Sequence, residues 1–167
     1  MPKRFNSLLM LFALGLLVGW IGGGASARDT SHANLQLASR AIAIVDKAHR
    51  LINQDDLMAF EEMDRDPTFH QGGLYLFVLS ADGENIYHAA DRTQIGEDFS
   101  RKLDAKQRPY GQQLIRDVSS RGVWHAYQSN NTASGHDEWK LTYARLTRQG
   151  HIVASGIYAG TYASRAR

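Results

Sequence analysis

The chain has no cysteine, only three prolines and a single long apolar run. Without cysteine there is no disulfide scaffold, no thiol nucleophile, no zinc–thiolate site and no diacylated lipid anchor. Low-complexity classes are excluded as well, because 22% charged and 10% aromatic residues within a 43% hydrophobic composition suffice for an ordinary core. Catalytic signatures are missing too. The seven histidines (His32, His49, His70, His88, His125, His136, His151) stand singly, with no i,i+4 pair and no HExxH, so spacing offers no metal site. Ser155 sits in Ala154-Ser155-Gly156 inside a strand pattern instead of a nucleophile elbow. No glycine-rich phosphate loop opens a helix, and Asp91 and Asp98 read as loop aspartates that cap or solvate. Neither an enzyme nor a cofactor is expected.

The one apolar run lies at the start. Lys3 and Arg4 precede an uncharged stretch from Leu8 to Ile21, Gly22 to Gly24 break it, and Ala25-Ser26-Ala27 follows as a small-x-small pattern. Residues 1–27 therefore read as a cleaved signal peptide, since the run falls short of the ~20 residues that span a bilayer. The expected location is periplasmic or secreted. The charge balance agrees. Of 19 Lys+Arg, two lie in the leader, which holds none of the 17 Asp+Glu, so residues 28–167 are neutral overall. Nucleic acid is excluded as a partner on charge and on compartment.

After the leader, helix precedes sheet. Leu35, Ala38, Ala41, Ile42, Val45, Ala48 and Ile52 recur at helical steps, predicting a long helix over 33–53. Asp55 is a candidate N-cap for a second helix carrying Leu57, Met58, Phe60 and Met63, ended by Pro67. From Gly72 the pattern is strand: Leu74 to Leu79, a turn at Asp82-Gly83, then Glu84 to His88. Residues 91–108 are polar and irregular, followed by a short helix with Tyr110, Leu114, Ile115 and Val118. Strands are expected at Val123 to Gln128, Glu138 to Leu146 and His151 to Tyr158, with turns at 129–137 and 148–150. The layout is α+β: an antiparallel five-stranded sheet with helices packed on one face.

The ordered set Gly73 to Leu79, Asp82-Gly83, His88, Ile95-Gly96, Gly122 to Tyr127, Lys140-Leu141-Thr142-Tyr143 and Ser155-Gly156-Ile157-Tyr158 resembles the single Cache domain family of the second type. The resemblance spans about residues 40–160 of a single domain at 28–167. It implies a PAS-like sensor fold, with a long N-terminal helix across a five-stranded antiparallel sheet and a pocket for small molecules, often short carboxylates. The chain departs from the family pattern at Ala89, where proline is frequent, and at Asn130-Asn131-Thr132, where Asn-Pro is frequent. Both positions adjoin the implied pocket, so the resemblance does not carry ligand identity.

Seven residues are candidates for that pocket. Lys140, inside a strand, is either a solvent-facing lysine or a point charge for a carboxylate, and the resemblance favours the second. His88 ends its strand, either as a surface histidine or as a donor that makes binding pH-dependent between about 5 and 8. Tyr75 and Phe77 share one strand face and Leu74, Leu76 and Val78 the other; one set packs under helix, the other lines the pocket. Trp124 and Tyr127, three apart, fall on opposite faces, so strand parity lets one of them reach a ligand. Tyr143, like Tyr158, has either fate, core or pocket. The expected function is an exported, soluble sensor that binds a small carboxylate-type metabolite and signals through a separate membrane-bound protein, with the long helix as output or homodimer surface. The alternative is a ligand-free module that docks a partner protein.

Overall fold

The computed structural model describes residues 27–71, 73–131 and 134–158. The expected leader lies outside them except for Ala27, the first residue of the long helix α1 (Ala27–Gln54). Leu37, Ala41, Ile44, Val45, Ala48 and Ile52 are buried along α1, whereas Leu35 is 47% exposed, so the seam that meets the sheet passes through Leu37 and Ile44. Asp55 caps α2 (Asp56–Arg65), its carboxylate accepting from the N–H groups of Leu57 and Met58 at 3.1 and 3.2 Å. Leu57 and Met58 themselves are exposed, and α2 buries Ala59 and Met63 instead. Asp66 stops α2 and caps the next turn, Pro67–Phe69, while Lys47 of α1 donates to its carboxylate and ties the two helices together.

Six strands follow: β1 (His70–Gln71), β2 (Leu74–Leu79), β3 (Asn85–His88), β4 (Val123–Asn131), β5 (His136–Leu146) and β6 (Ile152–Tyr158). All pairs are antiparallel, and the sheet path runs β1-β2-β6-β5-β4 with β3 also on β2. Phe77 is opposite both His88 and Ala154, which puts β3 and β6 on the two edges of β2. The antiparallel sheet with a long N-terminal helix is thus as expected, plus one strand. β1 is too short for any periodicity to announce it. The β4–β5 hairpin is also longer than the polar composition of 129–137 suggests, continuing to the pair Asn131↔His136. Its end is held by polar bonds: the Asn131 carbonyl accepts from the N–H groups of Ser134 and Gly135, and Glu138 accepts from Asn131 and Ser134.

The sheet has two unlike faces. Leu74, Leu76, Val78 and Val153 pack under α1 and α2. The other face is covered by the 91–109 segment and by α3 (Tyr110–Asp117), with Phe99, Tyr110 and Leu114 set against Phe77, Leu79, Tyr127 and Ile152. Helix therefore lies on both faces, not on one. The covering segment is built of turns capped by aspartates: Asp91 for Arg92–Gln94 and Asp98 for Phe99–Arg101. Asp104, with its side chain almost fully enclosed, pairs with Arg108 and accepts from the N–H groups of Lys106 and Arg108. Asp55→Ala should lower stability to urea by about 1 kcal/mol by orphaning two helical donors, and Asp55→Asn should leave it almost unchanged. Equal losses in the two variants would mean that the charge, and not the cap, matters.

Candidate functional site

Strand alternation puts one set of side chains on the covered face opposite α1. Tyr75 and Phe77 come from β2, Lys140 and Thr142 from β5, Tyr158 from β6, Tyr127 from β4 and His88 from β3. Register brings them together: Lys140 lies between Tyr127 and Tyr158 on its two neighbours, and His88 opposite Phe77. Lys140 is only 5% exposed. Its Nζ stands 4.5 Å from the Tyr75 ring centroid, 4.9 Å from that of Tyr158 and 5.5 Å from that of Phe77, and it donates to the Tyr75 hydroxyl. Three electron-rich ring faces thus surround one ammonium. Gly156 makes the room. A Cβ there would fall 2.4 Å from Lys140 Cε and 2.7 Å from Thr142 Oγ1, so only glycine lets the lysine stem lie across β6.

Among the described residues, no carboxylate forms an ion pair with Lys140; its bonded partners are tyrosine hydroxyls. Burial lowers its pKa, with Tyr158 partly offsetting the shift. His88 stacks beside this cage, 4.8 Å from the Tyr75 ring and 6.2 Å from that of Phe77. Burial first and the Lys140 charge second depress its pKa to about 4. The ring is therefore neutral through the interval from 5 to 8 in which it was expected to titrate. Its Nδ1 accepts from the Asp91 N–H at 2.9 Å, which leaves the proton of the neutral ring on Nε2. Below the cage, Tyr127 stacks on Tyr110 at 4.1 Å with the planes 6° apart, and its hydroxyl shares a 2.9 Å bond with Thr142.

These groups line a cavity of about 510 Å³ between the sheet and the covering segment. Tyr75, Phe77, His88, Tyr127 and Lys140 of the sequence candidates come together there. Trp124 and Tyr143 do not. They are register partners on the opposite face, with rings 5.2 Å apart against the α1 core. Strand parity left Trp124 or Tyr127 to choose between, and α1 takes the tryptophan. Tyr158, Tyr110, Asn85, Asp91, Gln94 and Lys102 also line the cavity. Tyr158, for which core packing is the commoner fate, faces the cavity instead, and nothing local marked the others, because the wall they form exists only once 91–109 folds back over β2 and β4. Among the described residues, no group of three or more His, Cys, Asp or Glu could hold a metal ion, and no helix is long and apolar enough to cross a membrane.

In sequence, residues 28–166 match the family described as Single Cache domain 2. No curated protein matches the chain. Several solved structures share its fold. A methyl-accepting chemotaxis protein from Vibrio parahaemolyticus RIMD 2210633 superposes with a TM-score of 0.60 at 17% identity, covering 78% of this chain and 94% of that one. A periplasmic sensor domain of a chemotaxis protein gives 0.59 at 20% identity, over 73% and 96%. A Cache chemosensory domain, solved to explain its recognition of carboxylic acids, gives 0.54 at 18% identity, over 76% and 97%.

His88 should titrate by NMR with a midpoint near 4, and Lys140→Met should raise that midpoint by removing the second cause of its depression. The folded pKa lies below the ordinary histidine value of 6.5, so the unfolded chain binds more protons between about pH 6.5 and 4. His88 accordingly lowers stability as pH falls through that window. A wild-type midpoint near 6.5 would refute the buried, neutral assignment.

Proposed function

Because the chain belongs to the single Cache domain 2 family, we propose that residues 28–167 form an exported sensory module whose cavity binds a small carboxylate through Lys140. The observation that carries this reading is the buried Lys140 ammonium, which lines the cavity and has no carboxylate partner among the described residues. A ligand carboxylate would supply the missing counter-charge in a water-poor site, where a charge-assisted bond is strong. The Tyr75 hydroxyl, already bonded to Nζ, and the Nε2–H of His88 are the next donors at hand. The rings of Phe77 and Tyr127 offer apolar wall to the rest of the ligand. The recognition of carboxylic acids by one structural neighbour points the same way.

On this reading the leader is removed after Ala27, the module works in the periplasm or outside the cell, and occupancy is passed to a separate membrane-bound signalling protein. α1 is the natural output or dimer surface: it packs along β2, β5 and β6, the strands that carry Tyr75, Lys140 and Tyr158. A cavity of about 510 Å³ favours ligand binding over a partner-docking module with a filled pocket.

Refolded protein, stripped of any ligand carried through purification, should be stabilised by one or more of acetate, propanoate, lactate and pyruvate. A ligand at ~100-fold its Kd adds roughly 2.7 kcal/mol, a shift of several degrees in Tm. Lys140→Met, which keeps most of the volume and loses the charge, should abolish the shift. A bound anion should also raise the His88 midpoint, because it offsets the lysine field. Silence across these acids, or equal shifts in wild type and Lys140→Met, would overturn the reading.

A further inference from the structure

The cavity wall carries more fixed negative charge than Lys140 can neutralise. Five ionised side chains line it: Lys102, Lys140, Asp91, Asp104 and Asp137. Lys102 is paired with Glu97, and Asp104 with Arg108. Among the described residues, Lys140, Asp91 and Asp137 have no ion-pair partner, which leaves one cation facing two anions.

Asp91 is the better placed of the two anions. Its backbone N–H bonds His88 Nδ1 at 2.9 Å, and its Oδ1 accepts from Thr93 N and Oγ1 at 3.0 and 2.6 Å as the cap of the Arg92–Gln94 turn. Those bonds fix the carboxylate beside the cage and favour its ionised form. Its charge acts on both Tyr75 and His88, the residues in contact with Lys140 or stacked on its cage.

We propose that Asp91 is a specificity-determining residue that limits the ligand to a single carboxylate. This rests on the carboxylate-binding reading above. The first carboxylate meets Lys140. A second one, carried on the same small ligand, finds no unpaired cation on the wall and meets the fixed charge of Asp91. Like charges sharing one cavity wall repel, most strongly at low salt, and rejection by repulsion is how such a site discriminates.

The test compares propanoate with succinate, which is propanoate bearing one more carboxylate, by isothermal titration at pH 7 and low salt. Wild type should bind succinate at least roughly tenfold more weakly than propanoate, and Asp91→Asn should erase most of that difference by strengthening succinate binding more than propanoate binding. Asparagine caps a turn as well as aspartate does, so the variant is expected to fold, and Asp91→Ser, another capping residue, provides an independent check. Succinate binding wild type as tightly as propanoate, or discrimination surviving in both Asp91 variants, would overturn the role of Asp91 while leaving the carboxylate reading intact. Absence of binding by either acid to wild type and variants would overturn the role of Asp91, and silence of acetate, lactate and pyruvate as well would overturn the carboxylate reading.

Discussion

A lysine ammonium buried on a sheet face is the constraint around which the covered side of this protein is organised. Taking such a charge out of water costs several kcal/mol unless fixed dipoles or a counter-ion offset it. Here the offset comes from ring faces of Tyr75, Tyr158 and Phe77 and from a tyrosine hydroxyl, with no carboxylate of the described residues in contact. The arrangement needs three strands in fixed register, because the rings come from β2 and β6 and the lysine from β5. It also needs a glycine at 156, where any side chain would occupy the path of the lysine stem.

The two faces of the sheet divide the work that a core and a site require. Beneath α1 the contacts are apolar, from Leu37 to Ile52 on the helix and from Leu74 to Val153 on the strands. That face supplies the larger share of the hydrophobic burial. On the other face, tyrosines join aliphatic residues such as Leu79 and Ile152, and the cover is a chain of short capped turns followed by α3. Tyrosine suits both duties, because its ring packs while its hydroxyl keeps a polar atom available. Asp104 adds a polar tie to the apolar contacts of Phe99, Tyr110 and Leu114: one enclosed carboxylate gathers an arginine and two backbone donors.

Period and punctuation made much of the frame legible. The Ala41, Val45, Ala48 and Ile52 part of the α1 stripe, the Asp55 cap, the strand at Leu74 to Leu79 and the Asp82-Gly83 turn all follow from local chemistry that tertiary contacts did not override. The two-residue β1 was not legible, since its pairing with Leu74 and Tyr75 is the only thing that makes it a strand. The extension of β4 and β5 into Asn- and Gly-rich sequence was hidden for a related reason. At the far end of a hairpin, polar residues satisfy a ladder as well as apolar ones do. In the site, the Cache-like motif order drew attention to Lys140, His88, Tyr75, Phe77 and Tyr127, but also to Trp124 and Tyr143, which lie against α1.

Local sequence determined most of the helices and strands, which residues alternate together, and that a lysine sits in the middle of an otherwise half-apolar strand. Those properties depend on neighbours within a few positions along the chain. Which face of each strand meets α1 is a different kind of question. Parity relates residues on one strand to each other, but only packing of the helix against the finished sheet assigns one parity to the core and the other to the cavity. The same holds for His88. Its intrinsic chemistry places it near neutrality, and burial beside Lys140 moves it to about 4. Asp91 meets His88 through a local bond three residues along the chain, whereas the cavity wall that both join also needs Tyr127 and Lys140 from β4 and β5, which only the tertiary fold brings there.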